Sequence, residues 1–461
     1  LEDLSTLQAT AYTLFTSGST GEPKGVAIAH ANAANLLRWA ARDYDAQELA
    51  QTLAVTPLTF DLSIFELFAP LTVGGCVRLL SSVLSLIDSM SMMDHATLLN
   101  TVPSAAEALL QHDAFGGSLR VLNLAGEPLS RDLYLRLQQK LPATRIVNLY
   151  GPTETTTYST GAVITPQQPE ITIGSPLYGS WVEVVDENMQ PVGVAVPGEL
   201  IIYGHGVAQG YVGDPQRTAA AFLPAPDGLR CYRTGDRVRW LPNGELDYLG
   251  RQDDQIKIRG FRVELGAVQA ALSGMDEIRE SVVMVVGNDQ RRSIVAFIVL
   301  TEPTADENTS RHIIKQGLLS LLPPYALPEK FLFLPTLPRN KHGKVDRRAL
   351  IKQSTYSGPV NSNVRAMTDI EQRVADCWQQ VLGGEIRLYD NFLEIGGHSL
   401  SLTQLTGLLR KEFNIHVLLY DLWTRPTVEQ QAAFIITLLN SSLTTAAPTP
   451  IPRVNRNSFH H

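Results

Sequence analysis

The chain has 461 residues and a formal net charge of −8, so it is long enough for two to four domains and lacks the positive excess that nucleic-acid binding requires. It is 44% hydrophobic and 18% charged without any run of 18 apolar residues, which predicts a globular protein with no membrane span. Its three cysteines lie far apart without metal-ligand spacing, which indicates a reduced, cytoplasmic protein without disulfides.

Residues 1–250 alternate short apolar runs with helical stretches, which predicts an α/β core. Buried strands are predicted at residues 121–126 and 145–151, with a helix between them. Because α/β proteins bind ligands at the loops that follow such strands, we expect a site there. The Asn-Gly pair within residues 240–246 predicts a hairpin.

The pattern changes after residue 250. Residues 255–259 alternate, Gly260 breaks the run, and a helix is predicted from Val263. Capping residues at Thr368 and Thr427 predict the starts of two later helices. The predicted units are a core at 1–250, a small α+β lobe at 251–353, a linker at 354–366, an all-α unit at 367–440 and a linker or tail at 441–461. The final two histidines suggest a tag remnant, with a natural C-terminus as the alternative.

A glycine-rich stretch, TSGSTGEPKG, occupies residues 16–25 directly after the first predicted strand. Its glycines let the backbone approach an anion, and its hydroxyls and lysine can donate hydrogen bonds to polyphosphate oxygens. No Gly-Lys-Ser/Thr closes the stretch, so it is not a Walker A loop. Taken alone, such a stretch is more often a plain linker.

Four further motifs follow in chain order. Residues 150–156 place an aromatic ring and a carboxylate at a strand end, where the ring can cover a base and the carboxylate can hold Mg²⁺ against phosphates. Residues 232–236 put an acid in a turn, able to accept hydrogen bonds from both hydroxyls of a ribose. Residues 250–253 open the small lobe and residues 343–347 close it. Each motif alone is more often a turn or a surface salt bridge, but five in this order favour one catalytic assembly.

This ordered set resembles the ANL superfamily of adenylate-forming enzymes, specifically the adenylation domains of nonribosomal peptide synthetases, over residues 7–350. The resemblance implies an α/β adenylate-forming core followed by a small, mobile α+β lobe. The sequence departs from the family at residues 342–344, where His-Gly-Lys replaces Asn-Gly-Lys. Relative to the family the chain begins just before the phosphate loop. We therefore expect a partial core without the first N-terminal subdomain, and poor stability or activity for this chain alone.

The resemblance also implies roles for single residues. Lys344 is the mobile catalytic lysine and Asp253 the hinge. A cation delivered on a movable lobe suits a reaction that brings a carboxylate and a phosphate together. The implied sites are catalytic Lys344, Glu154 and Thr153; phosphate-binding Thr16, Ser17, Gly18, Ser19, Thr20 and Lys24; nucleotide-binding Gly126, Asn148, Tyr150, Asp236 and Arg251; and Mg²⁺-binding Glu154.

A second signature, DNFLEIGGHSL, occupies residues 390–400. Its glycines lead to a helix start at Ser399, and Leu402, Leu405 and Leu409 continue an apolar face. Backbone N–H groups at a helix N-terminus favour an attached phosphate, although a serine there is more often a plain N-cap. No glycine follows the serine at nucleophile-elbow spacing, which argues against a hydrolase. The stretch resembles a peptidyl carrier (thiolation) domain, a four-helix all-α fold in which this serine bears 4′-phosphopantetheine.

Together the resemblances imply a two-step reaction in nonribosomal synthesis of an antibiotic, toxin or other secondary metabolite. An amino acid and Mg·ATP give an aminoacyl-AMP and pyrophosphate, and the thiol on Ser399 then takes the aminoacyl group as a thioester. The implied partners are the amino acid, ATP, a phosphopantetheinyl transferase and neighbouring condensation or epimerisation domains. Neither nucleic acid nor membrane is expected.

Two alternatives remain open. One is an acyl-CoA or aryl-acid ligase of the same superfamily, against which the attached carrier domain and Asp61 argue. The other is an inactive scaffold that only presents the carrier, against which intact Lys344, Glu154 and Asp236 argue.

The substrate is predicted from the family's pocket positions. Asp61 resembles the aspartate that pairs with the substrate's α-ammonium group, and Lys344 would meet its carboxylate. Bulky walls without a further charge favour a small, uncharged side chain. The set resembles alanine-activating domains, notably cyanobacterial ones, so we expect L-alanine; the two asparagines and Thr157 leave serine as the alternative. The matched positions are Asp61, Leu62, Phe65, Asn100, Asn123, Ala125, Leu149, Thr157, Tyr158 and Lys344.

Overall fold

A computed structural model describes most of the chain, which divides into two compact units, Leu1–Tyr356 and Ser357–His461. The division falls within the predicted linker; the other domain boundaries stay predictions. The described residues are 6–16, 23–83, 85–88, 92–225, 228–251, 255–258, 261–286, 293–302, 307–339, 345–354, 366–384, 386–390, 392, 395, 397, 399–415, 417–418, 421–422 and 425–442.

The first unit alternates strands and helices along its first half and is richer in strands afterwards. Its strands are β1 Thr10–Thr16, β2 Lys24–Ala29, β3 Gln51–Ala54, β4 Cys76–Leu79, β5 Leu98–Thr101, β6 Val121–Ala125, β7 Arg145–Tyr150, β8 Thr160–Val163, β9 Ser175–Pro176, β10 Ser180–Val185, β11 Gly198–Gly204, β12 Gly210–Tyr211, β13 Phe222–Pro224, β14 Arg230–Trp240, β15 Leu246–Arg251, β16 Gln255–Ile258, β17 Phe261–Glu264, β18 Ile278–Val286, β19 Ser293–Leu300 and β20 Lys330–Phe333. Its helices are α1 His30–Asp43, α2 Leu62–Thr72, α3 Ser85–Asp88, α4 Pro103–Gln111, α5 Arg131–Lys140, α6 Pro215–Ala221, α7 Leu265–Ser273, α8 Glu307–Leu321 and α9 Arg347–Ser354.

A seven-stranded sheet, in the order β4-β3-β5-β6-β7-β8-β9, forms the centre of this unit. Strands β3 to β7 pair in parallel, and β8 and β9 add an antiparallel edge. Helices cover both faces, α1 and α2 on one and α4 and α5 on the other, which explains why β6 is buried along its whole length. The predicted strands β6 and β7 and the helix between them are confirmed. Their parallel register brings the carboxyl ends of β3, β6 and β7 to one edge.

Two antiparallel sheets lie beside this centre in the same unit. One is ordered β1-β2-β12, and the other β10-β11-β14-β13 with β15 paired to β14. The predicted hairpin is confirmed as the β14–β15 turn, where Gly244 adopts a φ of +79°.

The small lobe follows β15. Strands β18 and β19 pair antiparallel, β20 joins β19 in parallel, and α7 and α8 pack on this sheet. The helix predicted from Val263 begins at Leu265 instead, which corrects the sequence analysis. Val263 and Glu264 pair with Ile256 and Gln255 across the β16–β17 hairpin, so ladder hydrogen bonds outweigh the helical pattern there.

The second unit is helical, as expected. Its described helices are α10 Asp369–Leu382, α11 Ser399–Phe413 and α12 Val428–Ser442. The predicted capping box is confirmed, with the Thr368 N–H donating to Glu371 Oε2 at 2.8 Å and the Glu371 N–H to Thr368 Oγ1 at 3.4 Å. The predicted apolar face of α11, with Leu402, Leu405 and Leu409, belongs to the same buried core as the rings of Trp378 and Phe392. The fourth predicted helix would fall between α11 and α12, where the description has gaps. No helix among the described residues is long and apolar enough to cross a membrane.

Helix α2 carries a carboxyl group into the core of the first unit. Glu66 is fully buried, and its Oε2 accepts hydrogen bonds from the backbone N–H groups of Val55 and Thr56 at 2.9 and 3.0 Å. Its Oε1 accepts from the Thr56 hydroxyl at 2.5 Å and from Asn100 Nδ2 at 3.1 Å. Burial raises the pKa of Glu66 to about 7 despite these hydrogen bonds, because none of the four donors carries a charge.

This raised pKa predicts a pH-dependent stability. The folded protein holds the Glu66 proton more tightly than the unfolded chain does. The contribution is therefore complete below the unfolded pKa near 4.5 and is lost as the pH rises through about 7. Relative to Glu66→Gln, the parent should lose about 3 kcal/mol of unfolding free energy between pH 4.5 and 8. Paired urea unfolding of the two proteins across this range measures it, and a pH-independent difference between them would contradict the prediction.

Candidate active site

A cleft opens at the carboxyl edge of the seven-stranded sheet. The ends of β1, β6 and β7, the turn before α2, and the paired strands β14 and β15 contribute its lining. Tyr325, from the small lobe, also lines it. The topology thus brings four of the predicted motif regions, 16–25, 150–156, 232–236 and 250–253, to one place, each through at least one residue.

A buried carboxylate lies at one end of this cleft. Asp61 precedes α2, is 7% exposed, and accepts a hydrogen bond at Oδ2 from the Thr153 hydroxyl at 2.7 Å. Its backbone oxygen accepts from the Thr157 hydroxyl at 3.1 Å. Thr157 has a φ of +72°, a conformation that costs a β-branched residue free energy. Neighbouring contacts, among them the hydrogen bond to Asp61, hold Thr157 in this strained conformation. The conformation sets the direction of the chain that leads to Tyr158.

A second buried carboxylate, Asp236, lies on β14 and also lines the cleft. It accepts hydrogen bonds from three side chains: the Tyr150 hydroxyl at 2.5 Å, Arg251 at 3.0 Å and the Tyr248 hydroxyl at 3.1 Å. Burial and the adjacent Asp236 carboxylate raise the pKa of Tyr150 well above its ordinary value, so this phenol stays a donor. Gly126 follows β6 with a φ of +82° and brings bare backbone to the same wall.

Lys24, in the described part of the glycine-rich stretch, forms an ion pair. Lys24 Nζ lies 3.2 Å from Oε1 of Glu154, which is fully buried. The Tyr211 hydroxyl donates to the same oxygen at 2.8 Å, and the ammonium group lies over the Tyr211 ring. Of the other predicted phosphate-binding residues, Thr16 lines the cleft, and its buried hydroxyl has no hydrogen-bond partner among the described residues.

The wall beside Asp61 is apolar at its surface and polar behind it. Leu62, Ala125 and Tyr158 line the cleft. Four further predicted pocket residues that the structure describes are buried behind that surface and do not line it: Phe65, Asn100, Asn123 and Leu149.

Two buried asparagines stand behind this wall. Asn100 Oδ1 accepts from the Tyr158 hydroxyl at 2.6 Å, and Asn123 Oδ1 accepts from the Tyr44 hydroxyl at 3.0 Å. Asn123 Nδ2 has no partner among the described residues. Most of the polar groups that the sequence places near the substrate are therefore already occupied by other side chains.

Several predicted site residues fall elsewhere. Asn148 is buried on β7, donates to the Thr172 carbonyl at 2.7 Å and does not line the cleft. Ser399 is the first residue of α11, as expected, but its side chain is not among those described. The positions outside the described residues are Ser17, Gly18, Ser19, Thr20, Asp253 and Lys344.

Sequence reasoning missed four residues at the site: Glu66, Tyr211, Tyr248 and Tyr325. Each stands apart from the recognised motifs in sequence, and only the fold brings them to the cleft or to its supporting side chains. The one available signal was Glu66, because a carboxylate in the otherwise apolar helix 62–72 needs buried donors.

Comparison with known proteins agrees with this arrangement. The AMP-binding enzyme family matches residues 3–212, the AMP-binding enzyme C-terminal domain matches residues 267–344, and the phosphopantetheine attachment site family matches residues 372–435.

Curated relatives are much longer than this chain. It is 40% identical over 444 residues to a linear gramicidin synthase of Brevibacillus parabrevis, covering 95% of the chain and 9% of that protein. It is also 40% identical over 413 residues to the AMB antimetabolite synthetase AmbB of Pseudomonas aeruginosa, covering 88% of the chain and 32% of that protein.

Solved structures show the same architecture. The holo form of PA1221, a nonribosomal peptide synthetase protein with adenylation and carrier domains, aligns with a TM-score of 0.79 and 28% identity over 95% of this chain and 75% of that one. The Vibrio cholerae adenylation domain AlmE, solved with glycyl-adenosine-5′-phosphate, aligns with a TM-score of 0.67 and 27% identity over 76% of this chain and 67% of that one. The chain therefore combines an AMP-binding enzyme domain and its C-terminal domain with a phosphopantetheine carrier domain, and its relatives with this arrangement are nonribosomal peptide synthetases.

Proposed function

We propose that the protein containing this chain activates L-alanine as alanyl-AMP and passes the alanyl group to the carrier domain. The observation that carries the proposal is the presence in one cleft of two separate buried carboxylates, Asp61 and Asp236. One suits an ammonium group and the other a pair of sugar hydroxyls, which are the two ends of an aminoacyl adenylate.

Asp61 is the proposed partner of the substrate's α-ammonium group. A buried carboxylate is favourable when it is hydrogen-bonded or paired with a cation. Asp61 lines the cleft beside the Thr153 hydroxyl, so an ammonium group bound in the cleft can pair with it. An ammonium group bound here directs the substrate's side chain towards Leu62, Ala125 and Tyr158.

Asp236 is the proposed ribose acceptor. Tyr150, Tyr248 and Arg251 hold its carboxylate in a fixed orientation, so little reorganisation is needed when a nucleoside binds. Tyr150 also lines the cleft and offers its ring to the adenine, and Gly126 leaves room for the base. Asn148 supports this wall from behind, through the hydrogen bond that it donates to the Thr172 carbonyl.

Lys24, in the predicted phosphate loop, forms an ion pair with Glu154. The polyphosphate of ATP would attract Lys24, and the released Glu154 carboxylate is a hard oxygen ligand of the kind Mg²⁺ prefers. When bound, Mg²⁺ would offset negative charge on the phosphates. Thr16, with the loop residues Ser17, Gly18, Ser19 and Thr20, donates hydrogen bonds to phosphate oxygens in this proposal.

Catalysis of the first step is assigned to Lys344, supported by Thr153 and Glu154. Attack of the alanine carboxylate on the α-phosphate builds negative charge, which a lysine on the small lobe can stabilise. Rotation of that lobe about Asp253 would then withdraw Lys344 and admit the carrier thiol. Tyr325 extends the small lobe into the cleft wall, consistent with a lobe that completes the site.

The preference for alanine rests on the apolar wall formed by Leu62, Ala125 and Tyr158. Asp61 is the only Asp, Glu, Lys, Arg or His among the substrate-pocket positions that the structure describes, so a charged substrate side chain would lack an oppositely charged partner of its own there. Serine is disfavoured because Asn100, Thr157 and the Asn123 carbonyl oxygen already have partners, and Asn123 Nδ2, which has none among the described residues, lies behind the cleft lining. AlmE, which binds a glycyl adenylate, shows that this fold accommodates a small aminoacyl group.

The second half of the reaction uses the carrier domain. The thiol of a phosphopantetheine arm on Ser399 loses its proton and attacks the alanyl carbonyl carbon; the C–S bond forms, the C–O bond to the phosphate breaks, and AMP leaves. A phosphopantetheinyl transferase would install the arm, and neighbouring condensation or epimerisation domains would use the thioester. The cytoplasmic location indicated by the cysteines stays a prediction.

Alanine specificity can be measured directly. ATP–pyrophosphate exchange by the full-length protein should show L-alanine as the best of four substrates. Transition-state binding should be about 1–3 kcal/mol weaker for glycine than for alanine, because the methyl group is missing. Valine should be a poor substrate because its larger side chain does not fit against the wall. A tenfold higher kcat/KM for serine or valine would overturn the alanine proposal while leaving the enzyme class intact.

Replacing Asp61 tests the ammonium site. Asp61→Asn should lower kcat/KM for alanine about a hundredfold or more, because the substrate's charge loses its buried partner, and should leave KM for ATP nearly unchanged. Asp247→Asn is the matched control, since Asp247 pairs with Arg239 at 2.8 Å away from the cleft. Equal losses in the two variants, or a selective loss for ATP, would refute this assignment.

Replacing Ser399 separates the two half-reactions. Ser399→Ala should abolish covalent capture of radiolabelled alanine and spare pyrophosphate exchange, because the first step needs no thiol. Ser401→Ala, at a buried position of the same helix, is the control. Undiminished loading of the Ser399 variant would show that the arm is attached elsewhere.

A further inference from the structure

The Tyr211 hydroxyl lies beside both charged groups of the Lys24–Glu154 ion pair. Its oxygen is 2.8 Å from Glu154 Oε1 and 3.3 Å from Lys24 Nζ, and those two atoms are 3.2 Å apart. An ammonium group can only donate, so the hydroxyl oxygen accepts from Lys24 and directs its own hydrogen to the carboxylate. One uncharged side chain therefore contacts both members of the ion pair.

The position of Tyr211 does not depend on the ion pair. In the pairing of β12 with β2 it lies opposite Val26, and its backbone N–H donates to Thr218 Oγ1 at 2.9 Å. Its ring is buried, with the centroid 5.3 Å from that of Phe222 in edge-on geometry. Backbone pairing and ring packing thus hold the hydroxyl in place through residues other than Lys24 and Glu154.

The proposed reaction requires the ion pair to open. Lys24 turns to the phosphates of ATP, and the Glu154 carboxylate becomes available to Mg²⁺. Mg²⁺ is usually held by one or two carboxylates together with substrate phosphates, so a single oriented carboxylate fits this role. Glu154 is fully buried, and a buried carboxylate that loses a cation is costly unless hydrogen bonds remain. The Tyr211 hydroxyl is placed to keep such a hydrogen bond.

We propose that Tyr211 is a positioning residue for the first half-reaction: its hydroxyl holds the Glu154 carboxylate in place once Lys24 has turned to the phosphates. Tyr211 acts through Glu154, and its role requires no contact with the nucleotide. The inference rests on the proposed function, because it uses the roles given there to Lys24 and Glu154.

The experiment measures nucleotide binding instead of turnover. Calorimetry gives the affinity of the full-length protein for α,β-methylene-ATP with and without Mg²⁺, in the absence of amino acid, and the ratio of the two affinities is the gain due to Mg²⁺. Tyr211→Phe, which keeps the ring and removes only the hydroxyl, should reduce this gain about tenfold, the scale of one hydrogen bond to a charged group. A general loosening of the site would weaken binding in both conditions and leave the ratio unchanged.

Two further variants test the route. Tyr203→Phe is the matched control, because the Tyr203 hydroxyl also donates to a carboxylate, Glu183 Oε2 at 2.7 Å, and lies outside the cleft. It should leave the gain unchanged. Glu154→Gln should itself lower the gain, and Tyr211→Phe added to it should lower the gain no further, because the hydroxyl acts through the carboxylate.

A crystal structure of the parent protein with α,β-methylene-ATP and Mg²⁺ gives a check that needs no variant. Lys24 should lie at the phosphates, and the Tyr211 hydroxyl should still lie within hydrogen-bond distance of Glu154. A hydroxyl that has left Glu154 together with Lys24 would overturn the inference.

The binding outcomes separate this inference from the proposed function. An unchanged gain in Tyr211→Phe, an equal loss in Tyr203→Phe, a full gain in Glu154→Gln or a further loss in the double variant would each overturn the inference. A parent protein that activates another amino acid better than alanine would correct the substrate and leave the inference standing, because the binding assay contains no amino acid. A parent protein that does not bind α,β-methylene-ATP would overturn the proposed function, and the inference with it.

Discussion

The site depends on one constraint, the parallel pairing of β3, β5, β6 and β7. Leu124 lies opposite Asn148, and Ala125 opposite Leu149, so β6 and β7 end side by side. The segments after these strand ends therefore meet at one edge: Gly126 after β6, Gly151 and Thr153 after β7, and the turn with Asp61 after β3. A slip of register by one residue would turn every side chain of the strand to the opposite face of the sheet, so the packing against the helices on both faces also fixes the site.

The buried carboxyl groups near this edge of the sheet have two kinds of environment. Asp236 accepts hydrogen bonds from three side chains, one of them Arg251, and Glu154 faces an ammonium group. Glu66 is different, because its four donors are neutral and its pKa rises. Asp236 and Glu154, which we propose meet the ligand, each lie beside a cation, whereas Glu66, behind the wall, accepts from four neutral donors, one of them the Asn100 amide.

Much of this could be predicted from sequence, for physical reasons. Strands β6 and β7 were predictable because a strand buried on both faces must be apolar throughout, and the α10 capping box because Thr368 and Glu371 stand three residues apart. The start of α7 was predicted two residues early, since an apolar run cannot show that β17 pairs with β16. Phe65 and Asn100 matched pocket positions by resemblance, yet they stand behind the lining. Whether a side chain reaches a cavity or supports a neighbour depends on packing between elements distant in sequence.

The central claim is that Asp61 and Asp236 bind the two ends of one aminoacyl adenylate. A crystal structure of the full-length protein with a nonhydrolysable sulfamoyl analogue of alanyl adenylate tests it directly. The account predicts the analogue's ammonium group within hydrogen-bond distance of Asp61 and both ribose hydroxyls at Asp236, with the methyl group against Ala125 and Tyr158. An analogue bound with either group away from its carboxylate would contradict it.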